Sequence, residues 1–491
     1  MKSVILKKGV LHRVAPVALL MWFFAQITVV NARQLHVIYD PGDRDKRINI
    51  VFLSEGYQQH ELSNFLSHAN NMLGTIIQTP PYSDYKEYFN AFAISVASNE
   101  SGSSHPSLGI SRDTYFQSTF DSHGIDRLLT VSSTGSTRAR TLLMNNVPEY
   151  DIPILIVNDT RYGGSGGWLS VTSIHPSAPE IMVHEVGHSF AALTDEYESP
   201  WPAWTPREFR NTTAHTHPDN ITWNVWIEQG VPIPTPVEAV WQNKVGLFEG
   251  SQYNSTGWFR PMVNCKMRAL GVPFCPVCQE AHIELMYTKL SPVESFNPAI
   301  ADLELDPGAT VPFALTTMEP ENPLNIVWLL DGQPVDGAAG PEYTFDSGVT
   351  GAGQFTLTAM VTDPTQRVRH DRVLPLLTDS VSWRIDVQAI TSEGTTERPV
   401  ATQLHPNYPN PFNPATVLAF TLGEPADIAL EVFDLLGQRV ANAAGGSYTA
   451  GRHSVPFDAS GLGSGVYIYR LTLLSGHQSG ERLQGKMMLI R

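Results

Sequence analysis

Residues 184–188 read His-Glu-Val-Gly-His. On a helix, positions four apart share a face, so His184 and His188 can present both imidazoles to one ion. Glu185 then projects to the flank, where a carboxylate reaches a metal-bound water rather than the metal. A catalytic zinc takes three protein ligands and keeps one position open. It lowers the pKa of its water to about 7, the glutamate takes the proton during attack on a carbonyl carbon, and the metal holds the developing oxyanion. The chemistry implied is peptide-bond hydrolysis by water, without an acyl-enzyme. An acidic pair, Asp195–Glu196, follows directly downstream. Gly187 costs roughly 1 kcal/mol relative to alanine inside a helix, which argues for close packing beneath the motif.

The surrounding pattern supplies elements to carry this helix. "INIVFL" (48–53) is a buried-strand run, followed by the helical stripe Leu62, Phe65, Leu66, Ala69, Met72, Leu73 and Ile76, which Pro80 and Pro81 end. Phe92, Ile94 and Val96 alternate as a strand, and "IPILIV" (152–157) is another. The glycine-rich "YGGSGGWLSVTS" (162–173) leads into a short strand, expected at a sheet edge over 167–173, where it would bind substrate by main-chain hydrogen bonds. Pro179 sits where the motif helix begins. Beyond 200 the chain is rich in Pro, Trp and Asn, with no long periodic helix until about 275–290. That reads as a mostly irregular second lobe forming the other wall of a cleft.

At 491 residues the chain is too long for one core. The expected fold is multidomain: an α/β (α+β) zinc-peptidase domain over 33–291, followed by two β-sandwich modules. The first, over 292–390, is read as immunoglobulin-like from "GQFTLTAMV" (353–361) and the Asp-Gly turn in "NIVWLLDGQPV" (325–335). A polar linker covers 391–403 and a last β-module 404–491. Residues 1–32 combine Lys2, Lys7, Lys8 and Arg13 with the apolar run 14–30 and a small-residue end, the pattern of a secretory signal peptide. No later segment is apolar enough to span a bilayer, so the mature chain is expected outside the cytoplasm without a stable membrane span. The net charge is −16, and loss of the signal leaves 28 basic residues against 48 acidic ones. Such a surface argues against nucleic acid and anionic membranes as partners.

Three cysteines occur, Cys265, Cys275 and Cys278. In an oxidising compartment one disulfide and a spare thiol are expected, joining Cys265 to Cys275 or Cys278. A zinc ribbon would need a second CxxC pair.

"HEVGHSFAALTDEY" (184–197), with "NIVFLSEGY" (49–57), "VGLFEGSQY" (245–253), "RPMVNCKMR" (260–268) and "PFCPVC" (273–278), resembles the IgA-peptidase family of zinc metallopeptidases, within the metzincin-like group. The resemblance implies a metzincin-like fold over 33–291, Zn2+ as cofactor, Glu185 as the catalytic residue, His184, His188 and Asp195 as metal ligands, and Met267 as the methionine beneath the site. The commoner metzincin pattern has glycine three residues after the second histidine and its third ligand six after. Here those positions hold Ala191 and Thr194, and the carboxylate comes one later. On a straight helix Asp195 would lie about 10.5 Å beyond His188, out of reach, so the helix must end near Ala191–Thr194 and the chain turn back. The rivals for third ligand are Glu208, and more weakly His215 and His217. Tyr197 and Tyr253 are read as packing residues with an alternative role at the oxyanion. "NYPNPFNPATV" (407–417), "VFDLLGQRV" (432–440), "SGVYIYRL" (464–471) and "KMMLIR" (486–491) resemble the C-terminal sorting domains of type IX secretion cargo. That implies passage through the periplasm and across an outer membrane to the cell surface or medium, with the secretion machinery as partner. The function expected is a secreted zinc endopeptidase acting on extracellular protein or glycoprotein. The alternative is a surface adhesin that retains a peptidase fold for binding, but an unused site has no need for Glu185.

Overall fold

The computed structural model describes residues 33–201, 204–389, 402–476 and 479–490, and the chain divides into two compact units, up to Ile390 and from Thr391 onward. The expected signal peptide and most of the linker at 391–403 lie outside the described residues.

The first unit is built on a six-stranded sheet. Its strands are β1 (Gln34–Tyr39), β2 (Ile48–Glu55), β3 (Phe89–Ser95), β4 (Tyr150–Val157), β5 (Gly164–Ser165) and β6 (Ser170–Thr172), in the order β1-β3-β2-β4-β6-β5. β3, β2, β4 and β6 run parallel, while β1 and β5 close the two edges antiparallel. A parallel sheet must be covered on both faces. The alternation along each strand accordingly divides one apolar cluster from another rather than core from water. Ile48, Ile50, Phe52, Ile152, Ile154 and Ile156 face α1 (Leu62–Gln78) and α3 (Ala178–Ser189). Val51, Leu53, Phe92, Ile94, Leu155 and Val157 face α2 (Ser133–Asn146). The helix α2 has no counterpart in the sequence reading, because only Gly135, Ala139, Leu142 and Leu143 of its fourteen residues are buried and the apolar stripe is too thin to stand out.

One strand departs from expectation. Ser170–Thr172 is interior, because the glycine run folds back and pairs Gly164 with Thr172 and Ser165 with Val171. A side chain at Gly164 would stand 2.9 Å from the Val171 carbonyl, so only glycine lets the two backbones approach. The outermost strand is therefore β5, not the strand at 167–173, and beyond it Gly164 bridges Leu128, its amide and carbonyl bonded to the backbone of Arg127 and Leu129.

After α3 the chain is irregular, with short 3-10 turns at Pro218–Asn220 and Asn224–Trp226 and a hairpin of Phe248–Ser251 with Asn254–Arg260. It then enters α4 (Pro276–Lys289), which is buried on nearly every side. Residues 293–387 form a two-sheet sandwich of three and five strands around Phe313, Trp328, Phe345 and Trp383. The Asp331–Gly332 turn expected from the sequence joins two of its strands, both residues left-handed at φ 50° and 78°. The connection after Thr362 leaves the sandwich and enters the first core, where Val368, Val373 and Leu377 are buried. Asp363 accepts hydrogen bonds from Tyr85 (2.7 Å) and Tyr287 (2.6 Å), and Glu280 on α4 accepts from the backbone of Arg369 and His370.

The second unit is a sandwich of a three-stranded and a four-stranded sheet, packed around Phe420, Ile428, Leu430, Leu471 and Met487. Among the described residues no helix is long and apolar enough to cross a membrane.

Candidate active site

The motif lies on α3, which Pro179 opens near its first turn and which ends at Ser189. Met182, Val183 and Val186 bury one face of α3 in the core, leaving His184, Glu185 and His188 partly exposed on the other. Ser189 is held to β6 through its hydroxyl contact with Ser170 (3.1 Å).

Past Ser189 the chain reverses. Ala192 takes a left-handed conformation (φ 53°), and the Leu193 amide donates back to the Gly187 carbonyl (3.0 Å). The Asn211 side chain grips the next peptide on both sides, accepting from the Thr194 amide (3.0 Å) and donating to the Thr194 carbonyl (2.8 Å). The Glu196 amide then donates to the Met267 carbonyl (2.9 Å). These ties bring Asp195 under the histidines. Its Oδ1 lies 3.0 Å from His184 Nε2 and 3.4 Å from His188 Nε2, and the two Nε2 atoms are 3.2 Å apart. The other rivals lie elsewhere on the surface: Glu208 sits 3.9 Å from His215, and His217 3.7 Å from Asp219.

The protonation pattern is set by the backbone. His184 Nδ1 faces the Lys266 carbonyl (2.8 Å) and His188 Nδ1 the Leu193 carbonyl (2.9 Å). Each Nδ1 therefore carries the proton and donates, which leaves both Nε2 lone pairs pointing at one spot. Asp195 Oδ1 is buried there without a hydrogen-bond donor. Three donor atoms joined by edges of 3.0, 3.2 and 3.4 Å match a face of a tetrahedron whose metal bonds are about 2.0–2.1 Å, where edges come to about 3.3 Å. The residues present thus fit a metal ion.

Without a cation these groups polarise one another. Burial works against charge on Asp195, but His188 and His184 hold its carboxyl well below the usual carboxylate range. Burial would lower His188, yet the Asp195 charge overrides it and raises the imidazole to about 9. Burial pushes Glu185 up, opposed by the two histidines.

Family comparison is consistent with this geometry. The model of IgA Peptidase M64 matches residues 37–242 and 237–286, together more than half of the chain. The chain belongs to the IgA Peptidase M64 family. M64 peptidases are metallopeptidases, and His184, His188 and Asp195 form a group that could hold a metal ion. The secretion system C-terminal sorting domain matches residues 407–482, so this M64 peptidase is exported by the type IX route to the cell surface or medium. No curated protein matches the chain. Among solved structures, dimeric latent PorU from Porphyromonas gingivalis is 13% identical over 40% of this chain and 20% of its own, with a TM-score of 0.18. The β-glucuronidase 3 of Bacteroides uniformis is 10% identical over 47% of this chain and 28% of its own, at 0.21. Fibronectin(III)-like modules of CbhA from Clostridium thermocellum are 8% identical over 40% of this chain and 93% of theirs, at 0.17. At such scores these likenesses carry no argument.

Tyr253 and Met267, both named from the sequence, make contacts around the M64 site that sequence reading does not specify, and Gly166 is not singled out there. Tyr253 donates its hydroxyl to Asp195 Oδ2 and packs edge-on against Tyr197, with ring centroids 5.3 Å apart. It stands in a turn where Gln252 and Tyr253 are both left-handed (φ 48° and 66°), a conformation that is costly for side chains of this size and is held by the Gln252 amide on the Asp195 carbonyl and the Tyr253 amide on the Tyr197 carbonyl. Non-glycine turns of this kind leave no mark in the sequence. Met267 is wholly buried, and a methyl group on Gly187 would stand 2.6 Å from its sulfur. On the open side, Gly166 is exposed, and a methyl there would stand 2.6 Å from Glu185 Oε2 and 3.3 Å from His188 Cβ. The glycine run lying over the motif was a signal for that close approach. The expected disulfide is absent: Cys265, Cys275 and Cys278 are all free, buried side by side.

Proposed function

We propose that this chain is a secreted zinc endopeptidase with a metzincin-like catalytic domain over 33–291, in which His184, His188 and Asp195 hold the metal and Glu185 is the general base. The observation that carries the reading is the triangle of Nε2 and Oδ1 atoms at 3.0–3.4 Å, with both Nδ1 atoms tied to carbonyls and Glu185 alongside. The metzincin pattern supports it in detail. The left-handed residue here is Ala192, one later than the position that pattern gives to glycine, and the carboxylate is also one later.

When bound, zinc supplies Lewis-acid polarisation of the scissile carbonyl. Glu185 takes a proton from the attacking water and returns it to the departing amine. Tyr253 orients Asp195, and the carbonyls of Lys266 and Leu193 keep each imidazole in the tautomer with Nε2 free. A substrate peptide in extended form would lie along the glycine run past Gly164, whose own amide and carbonyl are taken by Arg127 and Leu129, and be held by main-chain contacts as its scissile bond comes past Gly166 to Glu185. That mode reads backbone, which fits extracellular protein or glycoprotein as the substrate class. Residues 292–390 and 404–491 are read as immunoglobulin-like modules, the second serving export.

The test is substitution with metal analysis. Glu185→Gln should keep zinc and fold while losing nearly all turnover on casein. Asp195→Ala should lose the zinc held with His184 and His188, and Glu208→Ala should bind zinc as the wild type does. Turnover by Glu185→Gln, or zinc loss by Glu208→Ala in place of Asp195→Ala, would refute the assignment.

A further inference from the structure

A second set of donors lies one residue beyond Asp195. Glu196, Cys265, Cys275 and Cys278 come from three separate stretches of chain, all four are buried, and one ligand atom from each lies within 4.8 Å of all the others. No cysteine is bridged. Cys265 Sγ and Cys278 Sγ are 3.6 Å apart, far beyond the about 2.05 Å of a disulfide. Cys278 Sγ lies 3.4 Å from Glu196 Oε1. Those are the separations of a tetrahedral centre: zinc–sulfur bonds of about 2.3 Å give sulfur–sulfur edges of about 3.8 Å, and a sulfur–oxygen edge comes to about 3.5 Å.

Two local features stabilise charge on sulfur, against the burial that by itself pushes the Cys265 and Cys278 thiols up. The Cys275 amide points at Cys265 Sγ (3.3 Å), an N–H that stabilises sulfur charge. Cys275 is also the N-cap of α4, so its sulfur and that of Cys278 sit in the first turn, where the helix dipole lowers the energy of an anion. Glu196 Oε2 is buried with no hydrogen-bond partner, although the residue has no exposed surface at all. A buried carboxylate beside three sulfurs is unfavourable by itself and becomes favourable when a cation is shared among them.

We propose that Glu196, Cys265, Cys275 and Cys278 form a second, structural site for a thiophilic divalent cation, zinc, closed to solvent and distinct from the histidine site. Four protein ligands with no open position make a structural centre rather than a catalytic one. Its place explains its purpose. It would tie the turn carrying Asp195 to the loop carrying Met267 and to the start of α4, segments also joined by the Glu196 amide on the Met267 carbonyl, the Lys266 amide on the Pro273 carbonyl and the ion pairs of Glu198 with Arg260 and Arg268.

The experiment uses the purified secreted chain equilibrated with zinc and then desalted. Elemental analysis is expected to return about two zinc per chain. His188→Ala should lose one equivalent and keep the other, whereas Cys275→Ser combined with Cys278→Ser should lose the other one, so failure here stays separate from failure of the catalytic reading. Should the cysteine variant not fold, the unsubstituted chain decides. Cobalt(II) in place of zinc should give strong near-ultraviolet sulfur-to-cobalt absorption that persists in His188→Ala. All three thiols should react with a thiol reagent only after chelator and denaturant are added. A single metal per chain, a single reactive thiol betraying a disulfide, or bound cobalt without the sulfur band each overturns the proposal.

Discussion

Gly166→Ala tests how closely the glycine run positions the base. Gly166 does not need a left-handed backbone, so alanine is conformationally allowed and the effect is steric. The new methyl would stand 2.6 Å from Glu185 Oε2, and ordinary contact begins near 3.4 Å, so the carboxylate or the glycine strand must give by about 0.8 Å. The contacts with His188, at 3.3 and 3.4 Å, are tight but tolerable. The end of the Glu185 side chain is therefore the part that moves. A misplacement near 1 Å of a catalytic group costs about 100-fold, equivalent to roughly 2.7 kcal/mol of transition-state stabilisation. The expected result is a fall in kcat of about 10- to 100-fold, with zinc content unchanged and a stability loss of about 1 kcal/mol from crowding. Initial rates on a peptide substrate, elemental analysis and urea unfolding read the three quantities. Gly74→Ala is the control: a methyl at that position in α1 meets nothing within 4 Å, so it should stabilise by up to about 1 kcal/mol and leave rates alone. A kcat within about threefold of wild type for Gly166→Ala would show that Glu185 is not positioned against this strand, or is not the base.

Acid should weaken the fold through His282, whose imidazole on α4 is wholly buried beside Tyr82, Phe190 and Phe274 and is held down to about 3 by burial. Since the unfolded chain binds that proton near 6.5, stability is full above pH 6.5 and falls toward pH 3 by up to about 1.4 kcal/mol per pH unit, and His282→Gln should flatten that limb in urea unfolding across pH. Asp363→Ala strands the buried hydroxyls of Tyr85 and Tyr287 and should cost about 3 kcal/mol, while Asp363→Asn keeps an acceptor and should cost less, both read by urea midpoint. Ending the chain at residue 400 removes the second compact unit, so purified protein should keep its peptidase rate within about twofold while none is delivered to the medium, as blotting of cell and medium fractions would show.

What the sequence determined by itself is whatever repeats over a few residues. The pairing of His184 and His188 on one helix face, with Glu185 at its flank, follows from 3.6-residue periodicity and needs no partner. The buried runs at 48–53 and 152–157, the stripe of α1 and the Asp331–Gly332 turn were legible for the same reason. So was the pressure beneath Gly187, because glycine within a helix carries a local cost. The rest depended on residues far apart in the chain. Asp195 reaches the histidines only because Ala192 turns left-handed and Asn211, Tyr253 and Met267 hold the reversal, partners 16 to 72 positions away. The edge strand was misplaced because pairing, not composition, decides which strand lies outermost, and two glycine-run residues took that place. The cysteines, read as a disulfide by compartment and count, instead surround Glu196, because the path of α4 brings its first turn to the acid beside Asp195. Local spacing names the groups that can do chemistry; only the packed backbone sets the few ångströms between them.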